Sequence, residues 1–257
     1  MCYINGIKVS LEEFIRYKHH QKQVRELTAN RLFQQPAKRC FEYTEWPVIR
    51  VDGHGNWDAV PMEWGIIPPW IKTRAEAMQF RIMYPTYNAI GAELMSKKTF
   101  ATPARKFRCL VPSTGFYEYM HVPKMGKKGQ PLKAVDKIPF FITVREQPLF
   151  YMAGIYSPWF DHEKDDWINT FSICTATAGL LMAQVHNIKK RQPTILPAPL
   201  AERWIGDKLT DVEILQLAAH QFDNTQLHAH TVNQQFWNDE DPTVEVHYDN
   251  VPELQNT

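Results

Sequence analysis

The sequence predicts an α+β fold: a single domain built mainly on an antiparallel β sheet or open barrel, with several peripheral helices. Three observations carry this reading. Strand-like segments outnumber helical ones and are joined by turns, not by the helical crossovers a parallel sheet needs. Of the 257 residues, 44% are hydrophobic and 12% aromatic, enough for one large core. No repeat, heptad pattern or low-complexity linker divides the chain. The domain is therefore read as residues 1–235, with an acidic C-terminal tail over 236–257.

The elements follow in order. Ser10 and Glu13 have capping-box spacing, and Leu11, Phe14, Ile15, Val24 and Leu27 follow helical spacing behind them. An early helix is expected there, ending before Pro36. The aromatic, proline-studded region from Phe41 to Trp70 reads as strands and turns. Arg108 to Pro112 is a short apolar run stopped by proline, and Gly115 to Tyr119 resumes an extended pattern. The stretch His121 to Lys137, rich in Lys, Gly and Pro, reads as a long surface loop. Phe140 to Val144 and Leu149 to Tyr156 flank a polar turn containing Pro148 and are expected to pair as a hairpin. Thr170 to Ala176 predicts a strand and Ala178 to Val185 a short helix. Thr210 and Glu213 cap a late helix carrying Ile214, Leu215 and Leu217, and His228 to Val232 predicts a closing strand.

Composition excludes several classes. No stretch approaches about 18 consecutive apolar residues, so no membrane span is expected. The opening Met1-Cys2-Tyr3-Ile4-Asn5 has neither a basic nor an apolar leader region, so the expected compartment is cytoplasmic, with nucleoid association when DNA is bound. Cys2, Cys40, Cys109 and Cys174 are scattered, without metal-ligand spacing, so no metal, cofactor or disulfide framework is expected. The net charge of +1 hides an asymmetry. From Lys97 to Arg145 eleven bases face two acids, whereas after Leu196 two bases face eleven acids. The basic middle suits a phosphate-binding face, although any one of these charges also suits a solvated loop.

Cysteine at position 2 is small enough for removal of Met1, which would leave an α-amine and a thiol on one residue. That pair attacks an aldehyde twice: the amine condenses to an imine, and the thiol closes a five-membered thiazolidine. The α-amine has a reference pKa of about 7.7–8.0, so a useful neutral fraction exists near neutrality. Ring closure is intramolecular and entropically assisted.

Further segments occur in a fixed order: Trp64-Gly65-Ile66-Ile67-Pro68-Pro69-Trp70, then Tyr87-Asn88-Ala89-Ile90-Gly91-Ala92-Glu93. Next comes Arg108 to Tyr119, reading R-C-L-V-P-S-T-G-F-Y-E-Y, and then His186 ahead of Arg191-Gln192-Pro193-Thr194-Ile195-Leu196. Together with Met1-Cys2 they resemble the SRAP family (SOS response-associated peptidase domain), whose members crosslink to abasic DNA. The resemblance runs from Cys2 to about Asn233. It implies Cys2 as nucleophile and Asn88 as the residue positioning the N-terminal residue and opened sugar. It implies Glu118 as the proton shuttle of imine formation and His186 as an aid to sugar-ring opening. Chemically the set is coherent, because only the open aldehyde of an abasic sugar reacts, and carbinolamine dehydration needs a proton donor. Without the motifs, Asn88 reads as an Asx-type turn residue, Glu118 as a strand residue, and His186 as a helix-terminal histidine. His228 and His230 read as surface or packing residues.

The resemblance also implies a partner, single-stranded DNA containing abasic sites, bound by a monomer. Trp64 and Trp70 are the stacking candidates, and Arg105, Arg108, Lys189, Lys190 and Arg191 the phosphate contacts. Three departures from the family pattern stand out. Tyr3 and Ile4 replace a glycine and an arginine; Ile90 replaces a second arginine, with the following glutamate moved out by one; and Asn187 to Lys190 form an insertion. Two alternatives use the same residues: an N-terminal-cysteine peptidase or amidohydrolase with Asn88 as oxyanion donor, and a diverged, non-catalytic DNA-binding module.

Overall fold

The computed structural model describes residues 3–9, 33–206 and 208–255; the expected early helix and Cys2 lie outside them. The strands among these residues begin with β1 (Ile4–Lys8), β2 (Gln34–Arg39), β3 (Glu45–Val51), β4 (Trp57–Trp64) and β5 (Asn88–Ile90). They continue with β6 (Arg108–Ser113), β7 (Gly115–Met125), β8 (Pro131–Val144), β9 (Phe150–Asp161) and β10 (Asp166–Thr177). The last are β11 (Arg191–Pro193), β12 (Ile195–Leu196) and β13 (Leu227–Thr231). The helices are α1 (Arg74–Met83), α2 (Lys98–Lys106), α3 (Leu180–Val185), α4 (Ala198–Ile205) and α5 (Asp211–Ala218). This is the α+β, mainly antiparallel arrangement that the sequence predicts.

Strands β10, β4, β3, β6 and β9 pair in that order, and β9 pairs back to β10, closing a five-stranded barrel. Only the β10–β4 contact of this ring is parallel. Trp46, Trp64 and Phe171 fill the core, with Trp64 stacked on Phe171 at 5.8 Å. The second sheet has the order β13–β8–β7–β1–β2. It lays Phe116, Met120, Ile138, Phe140 and Ile142 against the barrel in one continuous apolar core. In β7, Gly115 to Glu118 are all buried, because the opposite face is covered by Ile4, Phe141, Val232 and Phe236. Close approach of β1 to its neighbours depends on Gly6, where a Cβ would lie 2.5 Å from the Pro36 carbonyl oxygen.

Local signals explain the helix starts. Thr210 and Glu213 form the expected capping box, and Thr73 and Glu76 form a second one at the head of α1. Two expectations are corrected. The strands Phe140–Val144 and Phe150–Tyr156 form but do not pair, because β8 is flanked by β7 and β13 while β9 is flanked by barrel strands. The stretch His121 to Lys137 is not an open loop: β7 and β8 continue through it as paired strands from His121↔Lys137 outward. Its lysines sit near a hairpin turn, where Gly129 adopts a φ of 76°. Residues after Asn233 run along the domain. Phe236 is fully buried and stacked on Tyr117 at 4.2 Å, and the Tyr248 hydroxyl donates to the Val232 carbonyl.

Candidate active site

Glu118 and His186 come from distant elements and line one cavity of about 610 Å³. Tyr3, Phe41, Tyr119 and Trp237 supply its aromatic walls, and His121, Lys137 and Lys189 its basic side. Tyr3 is bonded directly to Cys2, so Cys2 lies one peptide, or about 3.8 Å between Cα atoms, from a residue of this wall. Tyr3 is fixed by its carbonyl, which accepts the Cys40 N–H at 2.9 Å, and by the ladder that begins at Ile4↔Tyr117.

Glu118 is 2% exposed, and burial pushes its carboxyl group up to about 7. Strand alternation places it with Phe116 and Met120 on the β7 face toward the barrel. Near neutrality it is therefore partly protonated and can give or take a proton. His186 follows the last residue of α3 and is 8% exposed. Burial first, with nearby positive charge adding to it, lowers its pKa to about 4, so the ring is neutral at pH 7. Its Nδ1 lies 2.9 Å from the Arg191 carbonyl oxygen and 3.3 Å from the Arg191 N–H. A carbonyl can only accept, so the shorter contact puts the proton on Nδ1 and leaves Nε2 as the basic nitrogen.

The Asn187–Lys190 insertion explains how these groups meet. The Lys190 N–H donates to the His186 carbonyl at 2.9 Å, closing a turn in which Lys190 has a φ of 48°. Asn187 then clamps β7: its Oδ1 accepts the His121 N–H at 3.0 Å, and its Nδ2 donates to the His121 carbonyl at 2.9 Å. The histidine turn is thereby tied to the backbone three residues beyond Glu118.

Asn88 opens β5 and is 6% exposed, but it lines a second cavity of about 580 Å³, with Lys189 at the wall of both. Trp70 is 40% exposed and also lines the second cavity, with the Lys98 ammonium 4.7 Å above its ring. Trp64 is 1% exposed, and its indole N–H donates to the Tyr87 carbonyl at 2.9 Å; it offers no face to a ligand. Arg105 makes paired bonds of 2.9 and 2.7 Å to Asp211. Arg108 donates to the carbonyls of Trp204, Ala104, Arg105 and Gly206, tying α4 and α2 to the barrel. Arg191 binds the Thr175 hydroxyl and carbonyl. Arg108 and Arg191 are engaged within the protein and Arg105 in an exposed ion pair, and Lys189 and Lys190 are exposed. His228 and His230 lie on β13, where the His230 ring meets the Thr243 carbonyl at 2.8 Å.

Sequence reading missed the aromatic lining of the first cavity and the role of Asn187. Phe41 and Trp237 lie outside the motifs, and their exposures of 53% and 39% become visible only in three dimensions. Among the described residues, Cys40, Cys109 and Cys174 are buried, and burial raises all three thiol pKa values, which makes them poor nucleophiles. No group of three or more His, Cys, Asp or Glu among the described residues could hold a metal ion, and no helix there is long and apolar enough to cross a membrane.

Comparison with known proteins gives a concordant result. The abasic site processing protein YoqW of Bacillus subtilis (strain 168) is 31% identical over 173 residues, 67% of this chain and 68% of the relative. The abasic site processing protein HMCES of Pongo abelii is 28% identical over 227 residues, 77% of this chain and 62% of the relative. A crystal structure of a protein from Bacteroides thetaiotaomicron superposes with a TM-score of 0.82 at 29% identity, covering 96% of this chain and all of that one. The description "SOS response associated peptidase (SRAP)" matches residues 8–238, most of the chain and every segment that builds the two cavities apart from its extreme N-terminus. On that match the chain belongs to the SRAP family.

Proposed function

We propose that this protein captures abasic sites in single-stranded DNA as a covalent thiazolidine, through Cys2 exposed by removal of Met1. The observation that supports this most is the meeting of Glu118 and His186 in one cavity whose wall includes Tyr3, the neighbour of Cys2. His186, neutral with Nε2 as its basic nitrogen, takes the proton of the sugar hemiacetal hydroxyl and returns it to the ring oxygen as the bond from that oxygen to the anomeric carbon breaks, giving the open aldehyde. The Cys2 amine adds to the aldehyde carbon. Glu118, protonated, gives its proton to the carbinolamine oxygen, which leaves as water, and the resulting carboxylate takes the nitrogen's proton to leave the imine. The Cys2 sulfur then adds to the imine carbon as its proton passes to nitrogen, closing the ring. The net reaction releases one water and consumes no cofactor. Lys137 and Lys189 neutralise flanking phosphates, and the relatives' names as abasic site processing proteins favour the same substrate.

The test combines intact mass with crosslinking. The purified protein is expected to lack the mass of one methionine and to form an adduct, stable to denaturation, with a freshly uracil-excised oligonucleotide. Cys2→Ser is expected to lose the stable adduct while its amine still forms a labile imine that nicks the strand. Retained Met1, or no adduct from the wild-type protein, would overturn the proposal.

A further inference from the structure

The side chain of Tyr3 takes no part in the chemistry above, yet it makes more contacts than a cavity wall needs. Its ring stacks on Phe41 at 5.4 Å and meets Tyr87 edge-on at 5.5 Å. Phe41 also meets Tyr87 edge-on at 5.5 Å, so the three rings close a triangle. The hydroxyls of Tyr3 and Tyr87 hydrogen-bond to each other. Two corners of the triangle are fixed by other elements. Phe41 sits on the turn after β2, where Tyr43 takes a φ of 47° and its N–H bonds the Cys40 carbonyl at 3.3 Å. The Arg81 guanidinium lies 4.4 Å over the Tyr43 ring and pairs with Glu63 at 2.5 Å, which ties this turn to α1 and β4. Tyr87 is 7% exposed, and its carbonyl accepts the Trp64 indole N–H at 2.9 Å and the Ile173 N–H at 3.1 Å. That corner belongs to the barrel.

Tyr3 stands just ahead of Ile4, the first residue of the β1 ladder, and a chain end is poorly ordered unless something ties it down. The SRAP pattern has a glycine at this position, which offers no side chain to tie. Here the tie is aromatic, and it joins the neighbour of Cys2 to the neighbour of Asn88, residues assigned to one reaction from distant parts of the chain. We propose that Tyr3 is a positioning residue: anchored on Phe41 and Tyr87, it fixes the residue before it for attack on the aldehyde. This rests on the reading of Cys2 as the nucleophile. Capture needs the amine in a near-attack geometry, and a misplacement of about 1 Å costs on the order of 10²-fold in rate. The triangle carries no charge, so its effect falls on the rate of capture and not on the strength or salt dependence of DNA binding.

The experiment measures adduct formation by the full chain against the concentration of a single-stranded oligonucleotide carrying one abasic site, separating the maximal rate from half-saturation. Tyr3→Gly is expected to lower the maximal rate by about 10- to 100-fold and to leave half-saturation unchanged. Tyr3→Phe keeps the ring and drops only the hydroxyl, so it should restore most of that rate. Phe41→Ala removes one anchor at an exposed position that the fold tolerates, and should lower the rate by about 2- to 13-fold, the range of one aromatic pair. That variant decides the matter if Tyr3→Gly does not fold. A wild-type rate in Tyr3→Gly or in Phe41→Ala overturns the positioning role and leaves the capture chemistry intact. So does a Tyr3→Gly defect confined to half-saturation, which would make Tyr3 a DNA contact, or an equal loss in Tyr3→Gly and Tyr3→Phe. Absence of adduct from the wild-type protein overturns both readings.

Discussion

Burying a carboxyl group between a sheet and a barrel costs stability whenever that group ionises, and Glu118 does so in the neutral range. Its folded pKa of about 7 lies above the ordinary 4.5, so between those values the folded state holds a proton that the unfolded state has lost. Its stabilising contribution is complete below pH 4.5 and declines as pH rises through 7, by on the order of 3 kcal/mol. Glu118→Gln is therefore expected to match the wild type in urea unfolding at pH 4.5 and to exceed it by up to about 3 kcal/mol at pH 8. A difference that does not grow with pH would refute the raised pKa. His186 has the opposite sign. Its folded pKa of about 4 lies below 6.5, so its contribution is complete above 6.5 and is lost as pH falls through 4. In the proposed reaction the capture rate joins these groups to the amine of Cys2, which must be neutral while Glu118 is protonated. With an amine near ~7.8, the rate should peak at about pH 7.4, with fewer than about one molecule in ten in the active form. Glu118→Gln should lower the maximum and abolish the alkaline limb of that profile.

At the level of elements, the capping box of α5 and the apolar run of β6 are legible from residues alone, because caps and burial act over a few positions. Pairing is not. Nothing within Phe140 to Tyr156 says that its two strands enter different sheets, since that choice is made by partners far along the chain. The same holds for the site. Glu118 and His186 are readable as motif members, but the turn that carries His186 is tied to β7 by Asn187, an insertion residue with no motif of its own. Asn187 is a positioning residue, and Asn187→Ala removes two bonds to the His121 backbone, at a cost of about 1–3 kcal/mol. The capture rate is expected to fall about tenfold, the effect of ~1.4 kcal/mol on the barrier. The His186 titration, followed by NMR, should rise from about 4 toward 6.5 as water reaches the ring. A slower reaction with an unmoved His186 titration would assign Asn187 to stability alone.

Over the whole molecule, charge decides how firmly DNA is held. The sequence offers 29 Lys and Arg against 28 Asp and Glu, and its basic middle segment invites the reading of a broad phosphate-binding face. Folding reduces that face. Arg105 is committed to Asp211, Arg108 to four carbonyls and Arg191 to Thr175, while Lys124 pairs with Asp136 at 3.2 Å. The cations left at the two cavities are Lys97, Lys98, Lys137 and Lys189, of which Lys97 already faces Glu93. For single strands each neutralised phosphate adds about −0.7 to the slope of log affinity against log salt, so the slope should be no steeper than about −3. Raising salt from ~50 to ~200 mM should then weaken half-saturation by at most on the order of 50-fold, and Lys189→Ala should make the slope shallower by about 0.7. A slope near −5 or beyond would mean that Arg105 gives up its exposed pairing with Asp211, or Arg108 or Arg191 its part-buried one, on binding. On the proposed chemistry retention then rests on the thiazolidine, and Cys2→Ser, limited to a labile imine, should release DNA readily at physiological salt.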